Sequence, residues 1–291
     1  MKKLITFCLV IFVFFTFAYT QTNKQLKVFI SVDMEGCAGV VNWEEVSRNG
    51  KDYDYFRKIM AEETNAAIEG AIAAGATDII VRDSHGSARN ILPGDIDERA
   101  KLIRGWSGGI MSMMENIDKT FDAVVFIGYH AKAGTPNATL DHTMSSASVR
   151  DISVNGISLP EAGINALIAG YYDVPVVFVA GDKAICEQSK QLFKEIEAVA
   201  IKDGIGDAAI CLHPKVAQEK IREGVIKALK NLSKYKPYKL KPPYTLKITL
   251  LKEDLIHKGS VYPGVMRTGD WELTYKTNDL YELFRAHHWL Y

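Results

Sequence analysis

Four short runs of β-branched and aromatic residues constrain this chain more than any other feature: Leu26 to Val32, Asp78 to Arg82, Ala123 to Gly128 and Pro175 to Ala180. Between and after them lie stretches of helical period, at about Tyr53 to Ala74, Glu161 to Tyr171, Lys183 to Ile196 and Lys215 to Leu232. Nearly continuous apolar strands alternating with helices are the signature of βαβ units, which build a mainly parallel sheet with helices on both faces. The first of these helices places Ile59, Met60, Ala66, Ala67, Ala71 and Ala74 on an apolar side and stops at Gly75. Asn155-Gly156 has the residue types of a tight hairpin turn just before the second helix.

The 291 residues are enough to bury a core without crosslinks. Cysteine usage agrees, because the four cysteines, Cys8, Cys37, Cys186 and Cys211, are too sparse for a disulfide framework. The 35 basic residues balance 35 acidic ones, so no electrostatic footprint points to nucleic acid, which is excluded as a partner.

Residues 1–20 place Lys2 and Lys3 before an uncharged apolar run ending near Ala18, followed by polar Gln21, Thr22, Asn23 and Lys24. This is the pattern of a cleaved secretory signal peptide, with an N-terminal membrane anchor as the alternative. The expected product is exported, periplasmic or secreted. Residues 26–235 then read as the α/β domain that holds the chemistry. Past Lys234 a Pro- and Lys-rich connector leads into the β-like Tyr244-Thr245-Leu246-Lys247-Ile248-Thr249-Leu250 run and a terminal amphipathic stretch, so residues 236–291 read as a smaller lobe or sheet extension.

In an open parallel sheet, ligands bind beyond the carboxyl ends of the strands. Here three strand ends carry metal-ligand side chains: Asp33 and Glu35 after the first, Asp83 and His85 after the second, and His130 after the third. Glu161, opening a helix, offers another carboxylate. Singly, such residues are ordinary caps, turn formers or structural histidines. Together they are costly to bury unless a cation compensates them, and two imidazoles with several carboxylates suit Zn²⁺, although Mn²⁺, Co²⁺ or Fe²⁺ accept the same donors. Five ligand groups exceed one tetrahedral shell, so two ions sharing a carboxylate are expected. Asp83 reads either as a partner orienting His85 or as a turn former, and Cys37 as a small apolar turn residue. His213, His257, His287 and His288 are assigned no catalytic role.

The ordered motifs Ser31-Val32-Asp33-Met34-Glu35-Gly36, Asp83-Ser84-His85-Gly86, Gly128-Tyr129-His130-Ala131, Thr139-Leu140-Asp141-His142-Thr143-Met144 and Glu161-Ala162-Gly163-Ile164-Asn165-Ala166 closely resemble those of the DppA-type zinc D-aminopeptidases. The resemblance covers roughly residues 27–183. It implies two zinc ions per chain, removal of an N-terminal D-amino acid such as D-Ala from short peptides, and a ring-shaped homo-oligomer. Matched motif by motif, it makes Asp33 the bridging carboxylate, His85 and Glu161 the remaining ligands of one ion, and Glu35 and His130 those of the other. His142 matches the catalytic histidine, as nucleophile, base toward water or oxyanion donor. The competing readings are a related metal-dependent hydrolase of another amide, lactam or ester, and an exported binding protein that keeps a metal for structure.

Overall fold

The computed structural model describes residues 25–291, and the expected signal segment lies outside them. In chain order the elements are β1 (Leu26–Val32), α1 (Trp43–Val46), α2 (Tyr53–Ala73), β2 (Ala76–Asp83), β3 (Lys101–Ile103), β4 (Ala123–Tyr129), β5 (Val149–Val154), β6 (Ile157–Ser158) and α3 (Glu161–Tyr171). There follow β7 (Val176–Asp182), α4 (Lys183–Phe193), β8 (Glu197–Ile205), β9 (Ala208–Cys211), α5 (Pro214–Leu229), β10 (Tyr244–Leu250), α6 (Glu253–Ser260), β11 (Val265–Gly269), β12 (Glu272–Thr277) and α7 (Leu280–Trp289).

Seven strands form one sheet in the order β3-β2-β1-β4-β7-β8-β9, parallel throughout except for the β8–β9 hairpin at one edge. The mixed α/β architecture with a mainly parallel sheet is therefore as the alternation of strands and helices requires. β1, β4 and β7 are buried from both sides or nearly so, which is why their sequences run apolar instead of alternating. On one face Val28, Ile30 and Val32 pack with Ile59, Met60 and Ala67 of α2 and Ile221 and Val225 of α5. On the other, Phe29 and Phe126 pack with Leu167 of α3, Ile185 of α4 and a second sheet.

That second sheet has the order β11-β12-β10-β5-β6 and is antiparallel. The C-terminal strands do not extend the parallel sheet. β10 pairs with β5 at Ile248 opposite Ile152, so segments almost a hundred residues apart share one sheet. The β5–β6 hairpin turns at Asn155 and Gly156, both at positive φ, as a primed two-residue turn requires. Cys37, Cys186 and Cys211 are free thiols.

Candidate metal centre

β1 lies between β2 and β4, with Val32 opposite Asp83 on one side and Ile127 on the other. In-register parallel strands end level, so the residues after Val32, Asp83 and Tyr129 emerge at one sheet edge. Two glycines let the ends close up. A Cβ on Gly36 would sit 1.9 Å from the Tyr129 carbonyl oxygen, and one on Gly128, at φ +68°, would sit 2.2 Å from that of Asp33. The Gly36 N–H uses the space to donate to the Gly128 carbonyl at 2.7 Å.

Asp33, Glu35, His85, His130, His142 and Glu161 all converge there, each buried. Their ligand atoms form three overlapping groups, each within 4.8 Å: Asp33, Glu35 and His85; Asp33, His130 and Glu161; Glu35, His130 and His142. Asp33, Glu35 and His130 each belong to two of them. Glu35 and His130 share a group, as the resemblance implies, whereas His85 and Glu161 each meet Asp33 in separate groups.

The hydrogen bonds behind the imidazoles decide which nitrogens face this space. His85 Nε2 lies 2.8 Å from the Val46 carbonyl, which can only accept, so Nε2 carries the hydrogen and Nδ1 faces Glu35 Oε2 at 2.9 Å and Asp33 Oδ1 at 3.2 Å. His130 and His142 are reversed. Their Nδ1 atoms donate to the carbonyls of Ala131 at 3.0 Å and Leu140 at 2.9 Å, and both Nε2 atoms stand 3.5 Å from Glu161 Oε1. Each neutral ring thus aims a lone pair at carboxylate oxygens, which repel it unless a proton or a metal cation stands between. His130 Nε2 is buried without a hydrogen-bond partner. Burial alone would lower the His130 and His85 imidazoles, but the carboxylates around them reverse this, Glu161 and Asp33 for one and Glu35 and Asp33 for the other, holding both well above the usual value. Against its own burial, Asp33 is held well below the carboxylate range by His130 and His85. The same geometry accepts Zn²⁺: nitrogen and oxygen donors converge, and each imidazole's distal N–H is anchored on a carbonyl, as metal-binding histidines require.

A cleft of about 780 Å³ opens onto Asp33, Glu35, His85, His142 and Glu161, walled by Trp43, Arg48, Trp106, Met144, His288 and Tyr291. Trp43 meets the His142 ring edge-on at 5.4 Å, and the His130 and His142 rings stack at 4.0 Å. α1, closed by the Asn42–Glu45 capping box, supplies both Trp43 and the Val46 carbonyl that holds His85.

Asp83 does not touch the His85 ring. It accepts from the backbone N–H groups of Asn90 and Ile91 and from the Asn90 amide, and so acts as a turn former. Cys37 is buried, its thiol donating to the Asp33 carbonyl at 3.5 Å. Sequence reasoning missed a polar layer beneath the centre, where the Tyr129 hydroxyl bonds Ser31 at 2.7 Å and receives the Asn165 amide at 2.9 Å. A signal was present, since Asn165 is a polar residue in a helix whose neighbours are almost all apolar. It also missed Asp182, which caps α4 and accepts the Ala131 N–H beside His130.

An α/β protein that gathers three carboxylates and three oriented imidazoles at the carboxyl edge of a parallel sheet, in a cleft, has the architecture of a hydrolase. The sequence profile of the D-aminopeptidase family, Peptidase M55, matches residues 26–289, and the chain belongs to that family of peptidases. It is 35% identical over 267 residues to a D-aminopeptidase of Bacillus subtilis (strain 168), spanning 90% of this chain and 95% of that one. Among solved structures, the Zn-dependent D-aminopeptidase DppA from Bacillus subtilis, described as a self-compartmentalizing protease, matches with a TM-score of 0.86 at 33% identity, covering 90% of this chain and 95% of its own.

Proposed function

We propose that this protein is a zinc-dependent D-aminopeptidase that binds two zinc ions per chain and releases the N-terminal D-residue, such as D-Ala, from short peptides. The carrying observation is the set of imidazole lone pairs aimed at shared carboxylates, an arrangement of nitrogen and oxygen donors that a metal cation between them would stabilise. Asp33, Glu35, His85, His130 and Glu161 would hold the metal, with Asp33 shared. Zinc, when bound, supplies Lewis acidity toward the scissile carbonyl and toward water.

The chain's own contribution is placement and proton movement. With Nδ1 tied to the Leu140 carbonyl, His142 has only Nε2 free, and it takes a proton there as water attacks and returns it to the departing amine. Trp43 holds the ring against rotation and narrows the approach of bulk water. The relative's self-compartmentalizing character supports a ring-shaped homo-oligomer. Residues 1–20 support export, with a mature terminus near Gln21 that mass spectrometry of secreted or periplasmic protein would read.

The test is release of alanine from D-alanyl dipeptides against their L-forms, with and without chelator, alongside zinc content by elemental analysis. D-selective, chelator-sensitive release at about two zinc per chain is expected. A ceiling of one zinc would remove the bridging role of Asp33, and equal rates on L-peptides would move the protein to another hydrolase specificity.

A further inference from the structure

Lys202 sits on β8, 2% exposed, far in sequence from every residue of the centre. Its Nζ donates to two backbone carbonyls, those of Glu35 and Val40. Among the described residues no other group donates to either oxygen. The segment they bracket has no regular secondary structure; its other ties are the N–H groups of Gly36 on Gly128, Cys37 on Met34 and Val40 on Cys37, the Ala38 N–H on the Glu63 carboxylate at 2.8 Å, and the Cys37 thiol on the Asp33 carbonyl. It carries Glu35, whose carboxylate faces both His85 and His142.

A buried ammonium is an expensive way to satisfy two carbonyls, since burial disfavours its charge and pushes the Lys202 pKa down. Among the described residues no carboxylate stands within ion-pair distance of it; Asp182, its register neighbour, acts only at longer range. A neutral side chain of similar length would fill the space without that cost, but would leave the Val40 carbonyl unbonded and the Glu35–Gly36 peptide held on one side only, by the Gly36 N–H on the Gly128 carbonyl. A loop held at fewer points lets the Glu35 backbone shift, and the carboxylate shifts with it relative to the imidazoles.

We propose that Lys202 is a positioning residue for the centre: by clamping the Glu35 and Val40 carbonyls it sets the direction of the Glu35 carboxylate and hence the metal affinity of the site. This rests on the reading of Glu35 as a ligand. Lys202 bonds to no carboxylate or imidazole of the centre, and acts through the backbone of Glu35.

The experiment compares full-length wild type, Lys202→Met and Glu35→Gln by zinc affinity in chelator competition, zinc-induced rise in Tm, and kcat and KM on a D-alanyl dipeptide. Lys202→Met should bind zinc about 10- to 100-fold more weakly, as loss of a group orienting a ligand does. Its kcat should fall with KM within about threefold, and the zinc-induced rise in Tm should shrink. A merely structural lysine would lower Tm equally with and without zinc and leave zinc affinity unchanged, which overturns the proposal. Should Lys202→Met fail to fold, Lys202→Gln, whose shorter uncharged side chain keeps two N–H donors, is read by the same criteria. Zinc loss in Glu35→Gln with wild-type affinity at position 202 refutes the positioning role alone. Wild-type affinity in Glu35→Gln refutes the reading of Glu35 beneath it.

Discussion

His130 and His287 are both buried, and both leave Nε2 without a hydrogen-bond partner. One stands at the carboxyl edge of the parallel sheet, 3.5 Å from oxygens of Asp33 and Glu161. The other is on α7 beside the edge of the Tyr291 ring, at 5.1 Å, in a core with Leu283 and Leu290. Their ionisation moves in opposite directions. The carboxylates hold His130 well above the usual imidazole value, whereas burial, helped by His288, pushes His287 down to about 4. An unpartnered buried nitrogen is therefore no mark of a metal ligand by itself. Converging carboxylates favour a cation beside it, and that is why the proposed ligand role attaches to His130 and not to His287.

The largest effect should separate the two histidines. His130→Ala should lose bound zinc and more turnover than any change at His142, whereas His287→Leu should keep its zinc and a kcat within about threefold of wild type. Metal analysis and kinetics on the same preparations check this, and equal zinc loss in both variants would break the comparison. His142→Ala comes next. It should keep both zinc ions and lose about 10²-fold in kcat at saturating D-peptide, the scale of an acid–base group. Because His142 also lies within ligand distance of Glu35 and His130, zinc analysis is the deciding readout: loss of zinc would make it a ligand and not a proton carrier.

The smallest effect is on stability. His287 has a folded pKa of about 4 against 6.5, so between those values the unfolded chain binds the extra proton. Its contribution is fully present above pH 6.5 and is lost as pH falls through that window, on the order of 3 kcal/mol by pH 4. Denaturant unfolding of metal-free wild type and His287→Leu from pH 7 to 4 should show wild type losing more stability on acidification. Parallel profiles would mean that His287 is not held neutral in the fold.

What could be read from the chain alone was local. An apolar run followed at once by Asp33 and Glu35, or by His130, announces a strand and what waits at its end, because strand length and side-chain chemistry are written in consecutive residues. Helix α2 and the Asn155-Gly156 turn were legible for the same reason. The β8–β9 hairpin was not recognised as strands at all, since its apolar runs, Ala198 to Ile201 and Ala208 to Cys211, are four residues each, half of them alanine, and carry little of the β-branched and aromatic signal. The tertiary structure alone decided which nitrogen of each histidine faces the carboxylates, that Asp83 holds the Asn90 turn instead of His85, that β10 pairs with β5, and that Lys202 holds Glu35 from 167 residues away. Such contacts join groups through space at hydrogen-bond range, and a bond between distant segments leaves no period, spacing or composition in the stretch of chain at either end.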